Sequence, residues 1–133
     1  MVIAAAETFH PGLLIVEDDV DIRDALADLA SVEGFQVDTA ANGREALRHL
    51  ALGPRPHLIL LDLLMPEMNG WQFRQCQLRD PSIADIPVVV LSAMVDGASA
   101  TLLGVEGFVR KPFGPSGIES LRAMLAHYRD LAA

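Results

Sequence analysis

The sequence contains a single cysteine, Cys76, among 133 residues. One thiol can neither close an internal disulfide nor furnish a multi-cysteine metal site. That fits a reducing, cytoplasmic compartment and leaves Cys76 as a small helix residue. Positive charge is scarce as well: ten Lys and Arg stand against eighteen Asp and Glu, for a net charge of −8. A surface of that sign is repelled by phosphate backbones and anionic lipid, so neither direct nucleic-acid binding nor membrane association is expected. No apolar run approaches the roughly 18 residues of a membrane span, and the opening "MVIAAAETFHPG" lacks the basic segment of a secretory signal. Repeats and low-complexity tracts are also missing. What remains is 51% hydrophobic and 21% charged, a globular mixture at a length that buries one core. Residues 1–11 read as a short N-terminal extension and 12–133 as one domain.

Along the chain, short apolar runs alternate with segments of helical period, the sign of a parallel sheet with crossover helices. "LLIV" (13–16) is a first strand, followed by Ile22, Leu26, Leu29 and Glu33 at helical spacing, with Gly34 as the stop. "FQVDTA" alternates as a strand near a sheet edge does, and "NGREALRHL" presents Ala46, Leu47 and Leu50 on one helical face. "LILL" (58–61) and "VVVL" (88–91) are apolar throughout, as strands buried on both faces are. A helix is expected over Gly70 to Arg79, a fifth strand at "GFVR", and a last helix capped by Ser116 with Ile118, Leu121, Leu125 and Tyr128 inward. The fold class is therefore α/β, a (βα)₅ three-layer sandwich. Gly43 and Gly70 read as turn residues, and the four histidines, without ligand spacing, as surface or packing residues.

One carboxylate breaks the pattern. "LILLDLLMP" places Asp62 inside an apolar run, where a bare charge costs several kcal/mol. In open parallel sheets functional side chains gather at the carboxyl ends of strands, and that rule puts Glu17, Asp18, Asp19, Asp62, Ser92 and Lys111 on one rim. Two negative charges about 4 Å apart repel by roughly 4 kcal/mol at an effective dielectric of 20, so such a rim needs counter-charge. A hard divalent cation such as Mg²⁺ and the Lys111 ammonium would supply it. Carboxylates, cation, ammonium and hydroxyl around one space suit phosphoryl transfer, with Asp62 as nucleophile.

The strings "LLIVEDDVDIR", "LILLDLLMPEMNGW", "PVVVLSA" and "GFVRKPF", in this order and separation, resemble the receiver domain of two-component response regulators from about Leu13 to the last helix. The resemblance implies a flavodoxin-like sheet in the order 2-1-3-4-5. It implies Asp62 as phosphoacceptor for a histidine kinase or phosphotransfer protein, and Glu17 and Asp18 as the pair that places Mg²⁺, with the Leu64 carbonyl as a backbone ligand. Ser92 becomes the switch hydroxyl, Lys111 its ion-pair companion before a cis Pro112, and Phe108 the switch aromatic. Leu64 and Met94 fall where residues control phosphoryl lifetime; both are apolar, which implies slow loss. The segment from Ser92 to Lys111 is about three residues shorter than the family pattern, close to one helical turn, so the fourth helix is expected to be short or irregular.

A stand-alone switch that signals to a downstream protein is the expected function, with dimerisation on phosphorylation as an option. A docking module that is never phosphorylated is the alternative. An aspartyl-phosphate hydrolase is disfavoured because Leu64 stands where such enzymes place a second Asp as general acid. Flavin binding lacks a phosphate-cradling loop after the first strand. External substrate turnover is accordingly not expected.

Overall fold

The computed structural model describes residues 9–93, 103–111 and 114–132. Five strands and four helices are formed among the described residues: β1 (Gly12–Val16), α1 (Val20–Val32), β2 (Gln36–Ala40), α2 (Gly43–Leu52), β3 (Leu58–Asp62), α3 (Gly70–Arg79), β4 (Val88–Ser92), β5 (Gly107–Arg110) and α4 (Pro115–Ala132). The strands form one parallel sheet in the order β2-β1-β3-β4-β5, as expected. The chain leaves β1 for one edge at β2 and returns past it to β3, so the strand order reverses between β1 and β3. In sheets of this type ligand sites lie at that reversal, outside the carboxyl ends of the strands.

Burial follows the sequence pattern. Every residue of β3 and β4 is buried, whereas β2 exposes Gln36 and Thr39 in keeping with its edge position. Strand side chains alternate between faces, so Ile59 and Leu61 join Leu14, Ala46, Phe73 and Val90 in one apolar layer. Leu58 and Leu60 join Leu26, Ala30, Leu121 and Leu125 in the other. Each fully buried Leu or Phe contributes about 1.5–3 kcal/mol relative to exposure, and this two-sided burial holds the central strands in register.

The helix starts are set by short polar side chains. Asp19 accepts hydrogen bonds from the Asp21 and Ile22 amides, and Asn42 from that of Glu45. Asn69 and Gln72 form a reciprocal capping box at α3. Ser116 does not cap the last helix. α4 begins at Pro115, whose fixed φ and missing N–H suit a first helical position, and the Gly114 carbonyl accepts from the Ile118 amide. Nor do Gly43 and Gly70 serve as turns: each is the first residue of a helix, placed where a neighbouring backbone leaves no room. A Cβ at Gly70 would stand 2.5 Å from the Asp62 carbonyl oxygen, and one at Gly43 3.0 Å from that of Met68. The helix expected to be short between β4 and β5, together with Met94 and Pro112, lies outside the described residues.

Candidate functional site

Glu17 follows β1 directly, and its backbone is fixed on both sides. Its amide donates to the Ala40 carbonyl (3.0 Å) and its own carbonyl accepts from Arg23 Nη1 (3.0 Å). The side chain is fully buried beneath the rim. Asp18 is exposed beside it. Asp19, third in the acidic run, turns away to cap α1, which separates one structural carboxylate from two that face the rim.

Asp62 closes β3 with only 4% exposure, and its Oδ1 accepts from the Leu64 amide at 3.3 Å. Helix α3 abuts this strand end, with the Gly70 amide donating to the Leu63 carbonyl at 3.0 Å. Ser92 ends β4 and is buried. In register, Asp62 lies opposite Leu91, and Ser92 opposite Arg110. Lys111 is thereby delivered one residue beyond the sheet, its amide donating to the Ser92 carbonyl at 3.2 Å.

These placements converge. Lys111 Nζ ion-pairs with Glu17 Oε1 and lies 3.6 Å from Asp62 Oδ2. Carboxylate oxygens of Glu17, Asp18 and Asp62 all fall within 4.8 Å of one another. Burial is the main reason the Glu17 carboxyl is pushed up to about 7; Lys111 opposes the rise and Asp62 adds to it. The single ammonium thus leaves the acidic cluster short of positive charge, and oxygen donors so gathered match the preference of a hard divalent cation such as Mg²⁺.

The other described candidates add no side chain to this cluster, which Leu64 meets through its amide. Leu64 lies two residues past Asp62 with its side chain half exposed. Phe108 sits on β5, half-buried against the apolar layer shared with Leu103 and Val105. The histidines take scattered partners: His10 the Gly34 carbonyl, His57 the Gly12 amide and His49 the Asp38 carboxylate, while His127 packs on Tyr128. Sequence reasoning missed Arg23 as the brace of the Glu17 backbone and Gly70 as the neighbour of the Asp62 carbonyl. The first had no local signal; the second had one, a glycine at a helix start eight residues after a strand-end Asp.

Residues 13–124 match the family model of the response regulator receiver domain. Among curated relatives, a probable transcriptional regulator (ycf27) of Cyanophora paradoxa is 38% identical over 117 residues, covering 85% of this chain and 47% of that protein. The alkaline phosphatase synthesis transcriptional regulatory protein SphR of Synechococcus elongatus is 35% identical, with 77% and 43% covered. The chain therefore spans less than half the length of these relatives. Among solved structures, the receiver domain of a signal transduction histidine kinase from Syntrophus aciditrophicus superposes with a TM-score of 0.74 at 32% identity, covering 88% of this chain and 90% of that one. The chemotaxis response regulator CheY4 of Vibrio cholerae gives 0.77 at 26% identity, with 88% and 99% covered. Sequence match, strand order and superposition agree, and the chain belongs to the response regulator receiver domain family.

Proposed function

We propose that this domain is a phosphorylatable switch of a two-component system: Asp62 accepts a phosphoryl group from a histidine kinase or a histidine phosphotransfer protein. The observation that carries the reading is the meeting of three carboxylates with Lys111, which touches both buried members. Asp62 attacks phosphorus, the bond from phosphorus to the donor nitrogen breaks, and the imidazole leaves with its electron pair. Glu17, Asp18 and Asp62, with the Leu64 carbonyl, would hold Mg²⁺. The ion would neutralise charge on the phosphoryl oxygens.

Lys111 orients Asp62 and balances the added charge, and the Ser92 hydroxyl meets the phosphoryl group once it is bound. The strand carrying Phe108, with α4 beside it, relays the change to a partner protein. Residues 12–133 form the switching unit, and it turns over no external substrate. Chemical trapping tests the assignment: borohydride reduction of phosphodonor-treated protein should convert residue 62 to homoserine. Conversion at any other carboxylate instead would refute it.

A second reading of the output comes from the relatives, which are named transcriptional regulators and are more than twice the length of the matched region. In that reading the domain controls a DNA-binding partner or a larger protein rather than acting alone. Phosphorylation-dependent dimerisation suits either case, and light scattering before and after phosphodonor treatment tests it.

A further inference from the structure

Arg74 and Gln77 lie one turn apart on α3 and are both buried, at 6% and 0% exposure. A guanidinium in such a place loses its hydration and needs a set of acceptors in return. Nε donates to the Leu103 carbonyl (3.0 Å), Nη2 to the Gly104 carbonyl (2.8 Å) and Nη1 to Gln77 Oε1 (2.7 Å). Gln77 Nε2 then donates to the carbonyls of Ile83 (3.0 Å) and Ile86 (3.1 Å). These four carbonyls belong to the two segments that feed the sheet: Ile86 lies just before β4, and Gly104, at φ 65°, just before β5. The opposite ends of the same two strands carry Ser92 and Lys111.

We infer that the Arg74–Gln77 pair is a positioning device for the rim, setting β5 against β4 at their entry so that Lys111 meets Glu17 and Asp62 at their exit. Strand β5 needs such an anchor. It is four residues long, lies at a sheet edge and pairs with β4 alone. Its frame is fixed at one end by the Glu106 amide on the Val88 carbonyl (2.9 Å) and at the other by the Lys111 amide on the Ser92 carbonyl (3.2 Å). The pair acts on the first of these ends from α3, the helix whose Gly70 abuts the Asp62 carbonyl.

The chain supplies its own reporter, because Lys111 is its only lysine. Its ion-paired side chain, 15% exposed, should be acylated slowly by a mild amine reagent, read by peptide mass. The double variant Arg74→Met with Gln77→Leu keeps apolar bulk at both positions and withdraws the donors from the four backbone carbonyls, which unties both strand entries from α3. We expect a folded protein in which Lys111 is acylated at least about threefold faster, the mark of looser local structure. Acylation of the folded double variant at the wild-type rate would overturn the inference.

Should that variant not fold, Arg74→Lys keeps the charge with fewer donors, and unchanged Lys111 acylation there is equally contrary. A second readout rests on the phosphoacceptor reading: Mg²⁺-dependent phosphorylation should slow in the double variant. If the wild-type protein accepts no phosphoryl group, that reading fails while acylation still decides the role of Arg74.

Discussion

At the scale of single residues, the site is defined by how unequally its acids are placed. Glu17 is buried and its carboxyl is raised from 4.5 to about 7, chiefly by burial. The folded chain therefore binds more protons than the unfolded chain between those values. The stability contributed by this group is fully present below about pH 4.5 and is lost as pH rises through about 7. In Mg²⁺-free solution the melting temperature of the wild type should fall relative to Glu17→Gln across this window; parallel curves would show that Glu17 titrates normally. Asp18→Ala should weaken Mg²⁺ binding about tenfold or more, since one of three carboxylate donors is removed from a site with little other positive charge. An unchanged calorimetric titration would remove Asp18 from the site. Leu64 cannot orient or deprotonate water. Its replacement by Asn together with Met94→Glu should speed loss of the phosphoryl group by about tenfold, or ~1.4 kcal/mol of barrier, read from decay after donor removal.

At the scale of elements, the joint between β3 and α3 has the least tolerance. Gly70→Ala would drive a Cβ to 2.5 Å from the Asp62 carbonyl and 2.7 Å from Leu63 Cα, both rigid backbone atoms. The variant should lose about 1–3 kcal/mol by urea unfolding and lower the phosphorylation rate, because α3 can relieve the contact only by shifting the strand end. Wild-type stability there would mean that the joint is looser than its distances. Such close approaches are hard to read from sequence. The strands and the rim were legible because apolar runs and strand-end acids are local signals. Gly70 as a contact, Pro115 rather than Ser116 at the start of α4, and Arg74 with Gln77 in the interior were not. Gly70 and Pro115 carried local signals that read equally well as turn and cap chemistry, whereas Arg74 binds carbonyls 29 and 30 residues away, and polar residues on a short amphipathic helix otherwise read as its solvent side.

At the scale of the molecule, the parallel sheet gathers the ends of four strands around the order reversal, and the acidic cluster meets a lysine 94 residues from Glu17 in sequence. The same carboxylates would raise the free energy of the fold if no cation met them, so Mg²⁺ should increase thermal stability, and more at pH above 7 than near 5, where Glu17 holds a proton. Equal stabilisation at both pH values would separate metal binding from this cluster. The central claim is that the cluster exists to phosphorylate Asp62. Its most direct test is the intact mass of wild type and Asp62→Asn after incubation with a small-molecule phosphodonor, with and without Mg²⁺. The account predicts one phosphoryl group on the wild type, only with Mg²⁺, and none on the variant; an unmodified wild type, or a variant modified at the wild-type rate, would contradict it.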